Sequence, residues 1–230
     1  MKPVVAMILP PREGFAPGAT GAVGLLVHRL ASRPGAFAPV VVGMKQGAPF
    51  ADVAFRAATP SWQPARLARR YAGGVARVLR ALRPALIEVH NRPDVALFLA
   101  GHFPRTPVCL FLHNDPQGMR RARGAAERAA LLARLARVVT VSDYLRGRLL
   151  EGVAAPARAP VVLPNCLDLL QIPPSPDPRD KLILFAGRVV SDKGADSFVA
   201  ACARALPALP GWRAEMIGAD RFGPDSPETP

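Results

Sequence analysis

Long hydrophobic runs are missing from this chain: none approaches the roughly 20 residues of a membrane span, and the opening MKPVVAMILPPREG has too short an apolar stretch for a secretory signal. The expectation is a protein that begins life in the cytoplasm. Cysteine is scarce. Cys109, Cys166 and Cys202 stand among apolar or small neighbours without a CxxC pair, which argues against a disulfide framework and against zinc, and predicts buried thiols. The 17 acidic residues form no cluster that would hold a metal. No GxGxxG fingerprint occurs, and the acidic residue that would hold a dinucleotide ribose is missing after Val42-Gly43, which speaks against a nicotinamide dehydrogenase.

What is present is an ordinary globular composition, half apolar and one fifth charged, which excludes a disordered, collagen-like or coiled-coil protein. At 230 residues the chain is long for one domain and short for two, so one full domain and part of another are expected. The net charge is +13 and unevenly placed: residues 1–170 carry 23 Lys and Arg against 9 Asp and Glu, residues 171–230 carry 7 against 8. Lys2, Lys45, Lys181 and Lys193 are the only lysines. Such a preponderance of arginine is compatible with genomic composition bias and with selection for binding anions.

Short β-rich runs alternate with helical patterns. PVVAMIL (3–9), APVVVG (38–43), ALIEVH (85–90), PVCLFL (107–112), RVVTV (137–141) and PVVLP (160–164) are continuously apolar, as strands covered on both faces should be. Between them, 21–33, about 63–82, 123–136 and 143–151 repeat Leu, Val and Ala at helical spacing. The fold class expected is α/β, a doubly wound parallel sheet. QIPPSPDPRD (171–180), with four prolines, reads as a linker, and then the grammar restarts with a strand at 181–187, a helix at 194–206 and a strand at 212–218. The division expected is 1–170, a linker at 171–180, and 181–230 as the first β-α-β unit of a second, incomplete domain.

Several residues could carry chemistry. Gly14, Gly18, Gly21 and Gly24 fall after the first strand, where glycine lets backbone N–H groups approach a phosphate; a plain tight turn would use them equally. His90 and His113 each end a strand and should emerge at the same sheet edge, able to bond a sugar hydroxyl or move a proton, or simply to tie down a loop. His28, inside the first helix, and His102, in a loop beside Phe103, read as structural. Ser142 reads as a helix N-cap. Gly187-Arg188 followed by Ser191-Asp192-Lys193-Gly194 places a guanidinium just past a strand and an ammonium just before a helix, a natural diphosphate site, although both could be ordinary exposed charges.

These residues resemble the retaining nucleotide-sugar glycosyltransferases of family 4, built from two Rossmann-like domains. The signposts occur in order: TGAVG (20–24), EVHNRPDVALFLA (88–100), LHNDP (112–116), VVTVSDYLRGRL (138–149), PNCLD (164–168) and LFAGRVVSDKG (184–194). The resemblance implies that the first domain binds the acceptor and the second the nucleotide sugar, with reaction in the cleft between them. It further implies that Arg188 and Lys193 hold the donor diphosphate, that Gly21 and Gly24 approach it from the opposite domain, and that His113 sits near the transferred sugar as the catalytic histidine. His90 and Asn114 are assigned to the acceptor or sugar side, and Asn165 and Asp168 to a structural turn. Cys166 stands where the family usually has glycine, and the family's paired-glutamate segment is absent, so the donor domain is expected to be truncated. No cofactor and no metal are implied.

The partners implied are a nucleoside-diphosphate sugar and a glycan, lipid-linked or small-molecule acceptor. The alternative is a noncatalytic sugar-binding module, or one binding lipid or nucleic acid through its basic charge. Arg66, Arg69, Arg70, Arg77 and Arg80 follow helical spacing and form a basic face. That face would suit peripheral contact with anionic lipid at the inner membrane surface better than nucleic acid, for which no motif or run of stacking aromatics is present.

Overall fold

The computed structural model describes residues 2–33, 35–62, 67–175 and 177–219. Two compact units divide the chain, Met1–Leu169 and Leu170–Pro230. In the first, seven strands pair in parallel: β1 (Val4–Ile8), β2 (Ala38–Gly43), β3 (Phe55–Ala57), β4 (Leu86–His90), β5 (Val108–Leu112), β6 (Arg137–Thr140) and β7 (Val161–Val162). Their spatial order is β3-β2-β1-β4-β5-β6-β7. The chain therefore starts in the middle, winds to one edge, and returns beside β1 to wind to the other, which is the doubly wound arrangement.

The strand side chains alternate between two cores. Ala6, Ile8, Val42, Ile87, Val89, Leu110 and Leu112 face one, with the buried stripes of α2 (Leu67–Leu82), α3 (Pro93–His102), α4 (Ala125–Arg134) and α5 (Asp143–Leu150). Val5, Met7, Leu9 and Val41 face the other, with α1 (Ala22–Ala31), Phe15 and Val53. Each fully buried Leu or Ile is worth roughly 1.5–3 kcal/mol of transfer free energy, so the larger core dominates stability. Two buried polar side chains are satisfied by backbone carbonyls. The Tyr71 hydroxyl donates to the Leu9 carbonyl at 2.8 Å, and the buried Arg128 guanidinium donates to the Leu149, Ala122, Arg123 and Glu151 carbonyls, tying α4 to the end of α5.

Five sequence readings need correction. The strands are not uniformly covered: in β4 and β5 burial alternates, because α1 spans only part of its face and leaves Glu88, Cys109 and Phe111 half-buried. Strand β3 was not foreseen, being only three residues long and largely exposed. Helix α3 was not foreseen either, and its start signals were Pro93 at the first turn and Asp94 beside it. His102 consequently closes a helix rather than standing in a loop, with Nδ1 donating to the Phe98 carbonyl at 2.9 Å and its ring stacked on Phe98. Finally, Cys202 is buried and Cys109 half-buried, but Cys166 is exposed because it lies in the irregular segment after β7. Arg66 and the proposed helix start at 63 fall outside the described residues; the helix there is described from Leu67.

In the second unit β8 (Leu182–Ala186) pairs in parallel with β9 (Arg213–Ile217) across α6 (Ala195–Ala205). Leu184, Val199 and Ile217 are about half exposed. No helix of the described residues is long and apolar enough to cross a membrane.

Two adjacent glycines in α2 test the larger core. A Cβ on Gly74 would fall 2.1 Å from the Thr59 carbonyl oxygen, whereas one on Gly73 would meet the rotatable Ser61 hydroxyl at 3.3 Å. Gly74→Ala should destabilise by about 2 kcal/mol or more through overpacking against backbone. Gly73→Ala should be neutral or stabilising by up to about 1 kcal/mol through helix propensity. Urea midpoints of the two variants give the comparison, and equal effects would contradict the close approach of α2 to Thr59.

Candidate functional site

The loops that follow parallel strands gather at one edge, and β1 and β4 are neighbours whose connections leave in different directions. After β1 the chain closes a compact loop: Ala16 N–H donates to the Thr20 hydroxyl at 2.9 Å, and that hydroxyl donates back to the Ala16 carbonyl. Gly21 caps α1 and Gly24 lies in its first turn rather than in the loop. Both glycines stand against one carboxylate. Glu13 Oε1 accepts from the Gly24 N–H at 2.7 Å, and a Cβ on Gly21 would fall 2.6 Å from the same oxygen. An anion therefore already occupies this helix N-terminus, held by the protein's own chain.

His90, the last residue of β4, is fully buried, and its Nδ1 lies 3.0 Å from Nε2 of His113, which follows β5. Asn91 locks the pair. It adopts a left-handed backbone (φ 53°), its side-chain oxygen accepts the His113 N–H at 2.8 Å, and its amide donates to Asn114 Oδ1 at 2.8 Å. Asparagine is one of the few side chains that tolerates this conformation. Burial holds the basicity of both imidazoles well below the usual value; for His90 the neighbouring His113 adds to it, and for His113 a hydrogen bond to Asn165 opposes it. The assignment that satisfies both contacts has His113 donating to Asn165 and accepting from His90 Nδ1–H. His90 Nε2 is then a buried acceptor with no partner among the described residues.

Glu88, two residues before His90 and on the same face of β4, is pushed up to about 7 by burial. Burial and that carboxyl in turn raise the Cys109 thiol. On the polar side of this sheet the two imidazoles and the thiol are thus neutral near pH 7, while Glu88 titrates there.

Beyond β8, Arg188 is half-buried and Lys193 exposed, on the turn that leads into α6. Gly194 takes a left-handed backbone (φ 77°) to start the helix. Gly218 (φ 152°) passes so near the Gly187 carbonyl, 1.7 Å from where its own Cβ would stand, that only glycine fits. The remaining residues singled out have structural work. His28 meets the Asp52 carboxylate at 2.9 Å, Ser142 accepts from the Leu145 N–H at the start of α5, and Asp168 pairs with Arg33. Glu13, Glu88 and Asn91 escaped the sequence reading. The one available signal was a lone glutamate inside an apolar strand and an asparagine between a strand and a proline-led helix.

Among known proteins, the family Glycosyltransferase Family 4 matches residues 21–170. No curated protein matches the chain. The chain is similar in fold to the Anabaena protein HepE, solved in complex with UDP and glucose (TM-score 0.63, 16% identity, 95% of this chain and 62% of that one). A glycosyltransferase from Rickettsia africae is similar over 95% of this chain and 69% of its own (TM-score 0.61, 12% identity). So is a putative UDP-N-acetylglucosamine 2-epimerase from Listeria monocytogenes, over 96% and 64% (TM-score 0.55, 15% identity). The chain thus spans less than two thirds of the length of HepE and of the epimerase.

The buried titratable groups set a pH dependence of stability. Glu88 has a folded value raised to about 7 from 4.5, so its stabilising contribution is complete below about pH 4.5 and lost as pH rises through 7. His90 and His113 are depressed, so theirs is present above about pH 6.5 and lost as pH falls. Stability should peak between these limits. Glu88→Gln should raise the melting temperature at pH 8, by an amount equivalent to about 3 kcal/mol at most, and leave it nearly unchanged at pH 4.5. Thermal melts at the two pH values decide it; an equal shift at both would show that Glu88 is not protonated in the fold.

Proposed function

This chain belongs to glycosyltransferase family 4, and we propose that it contributes to transfer of a glycosyl group from a nucleoside-diphosphate sugar to an acceptor hydroxyl with retention of anomeric configuration. The observation that carries this reading is the family match across 21–170, which takes in β2–β7 and all five helices of the first unit. HepE, of similar fold, was solved with UDP and glucose, which makes UDP the first donor nucleotide to test.

In this reading residues 1–170 form the acceptor-side domain, and 181–230 open a donor-side domain after the 171–180 linker. The half-exposed apolar side chains Leu184, Val199 and Ile217 support a donor-side layer larger than β8, α6 and β9. Arg188 and Lys193 hold the donor diphosphate at the start of α6, where two cations neutralise the charge that grows as the sugar–oxygen bond breaks. The acceptor oxygen forms the new bond on the face the diphosphate leaves, and its proton passes to a departing phosphate oxygen. His113 contacts the transferred sugar, and His90 and Asn114 serve the acceptor or sugar side. His90 does so through His113, since it is itself fully buried. Gly21 and Gly24 keep a phosphate role on the condition that Glu13 releases the Gly24 N–H. The acceptor is a glycan, a lipid-linked molecule or a small molecule, met in the cytoplasm or at the inner membrane surface.

The diphosphate assignment predicts that Arg188→Ala/Lys193→Ala weakens UDP binding at least about tenfold while leaving the circular dichroism spectrum and melting temperature unchanged. Isothermal titration of UDP, with ADP and GDP as alternatives, measures this. Unchanged affinity in the double variant would remove both residues from the site.

A further inference from the structure

On the side of the first unit where α2, α3 and α4 pack, a cavity of about 620 Å³ opens between these helices. Its floor is apolar, with Ala72 of α2 and Leu97 and Phe98 of α3. Its walls carry four guanidinium groups, from Arg69 on α2, Arg120 and Arg121 ahead of α4, and Arg134 on α4. Two carboxylates also line it, and both are engaged elsewhere. Asp94 is gripped by Arg92 through two hydrogen bonds of 3.0 and 2.8 Å, and Glu127 accepts the Arg123 and Gly124 N–H groups at the start of α4. The four arginine side chains make no hydrogen bond or ion pair among the described residues. Arg121 is held in a left-handed backbone (φ 69°), an unfavourable conformation for arginine.

A second cavity of about 310 Å³ continues the first, sharing Arg69 and Phe98 and adding Arg77, Arg80 and Trp62. The Trp62 indole is 85% exposed. Unpaired guanidinium groups over an apolar floor, with a bare indole at the margin, match one kind of surface: phosphate headgroups above hydrocarbon. Arginine grips phosphate bidentately, the first methylenes would lie on Leu97 and Phe98, and tryptophan favours the membrane interface. Nucleic acid is the poorer fit: a single strand would call for a row of stacking aromatics, and a duplex backbone offers no apolar group to lie on Leu97 and Phe98.

We propose that this trough docks the phosphate headgroups of an anionic lipid bilayer. The inference does not rest on the transfer reaction, and it narrows the basic face of α2 to a site built from three helices.

The test is co-sedimentation with phosphatidylcholine vesicles, with and without about one third phosphatidylglycerol, at an ionic strength of about 0.1 M. Arg120→Gln/Arg121→Gln/Arg134→Gln should lose on the order of a hundredfold in affinity for the anionic vesicles, from about fivefold per arginine. Arg29→Gln/Arg56→Gln/Arg105→Gln removes the same charge from exposed positions outside the trough and should lose far less. In a Trp212→Phe background, Trp62 emission should shift to the blue with anionic vesicles only. All variants are exposed at the surface, and melting curves confirm folding. Equal losses in the two triple variants would reduce the binding to net charge and overturn the proposal. So would an unmoved Trp62 emission, or tighter binding to duplex DNA of about 20 base pairs that depends on the same arginines.

Discussion

The parallel pairing of β1 with β4, Val5–Ile8 against Leu86–Val89, is the constraint on which the rest of the first unit depends. At this seam the winding changes direction, so the loop after β1 and the loops after β4 and β5 part instead of closing over one another. Glu13, Gly21 and Gly24 come from one side of the seam, and His90, Asn91, His113 and Asn114 from the other. None of these is near another in sequence across that divide, and no local preference would assemble them.

The same winding explains the unusual electrostatics. Four helices cover one face of the sheet and α1 alone serves the other, so the second face of β4 and β5 is lined by Glu88, His90 and Cys109 instead of a continuous aliphatic layer. Burial without counter-charge favours the neutral form of each group, which raises the acid and lowers the bases. The result is an edge whose imidazoles and thiol are neutral near pH 7 and whose one carboxyl, Glu88, titrates there. Asn91 gives this edge its rigidity, because a single amide engages both the His113 backbone and the Asn114 side chain.

Two groups stand out among the abundant arginines. One works inside the fold: Arg128 satisfies carbonyls between α4 and α5, Arg158 donates to the Ala133 and Leu135 carbonyls, and Arg148 joins Asp115, Gln117 and Glu151 in one network. The other, Arg69, Arg120, Arg121 and Arg134, lines a cavity whose carboxylates are already committed.

Much of the architecture was legible without coordinates. Parallel strands buried on at least one face must be runs of Val, Ile and Leu, and the helices between them must repeat at 3.6 residues, so α/β winding, six of the seven strands of the first unit and the restart near 181 followed from pattern alone. The positions of His90, His113 and the 187–194 turn at strand ends were visible for the same reason. Helix α3 escaped because PDVALFLAGH is apolar around most of its circumference and carries no clear period. Which face of β4 and β5 stays thinly covered, that Glu13 occupies the start of α1, that the two histidines bond each other, and that Arg69 and Arg134 line one cavity were decided only by tertiary structure. Each depends on contacts between segments far apart in the chain, and the physics of a local window contains pattern and propensity but not the packing that brings such segments together.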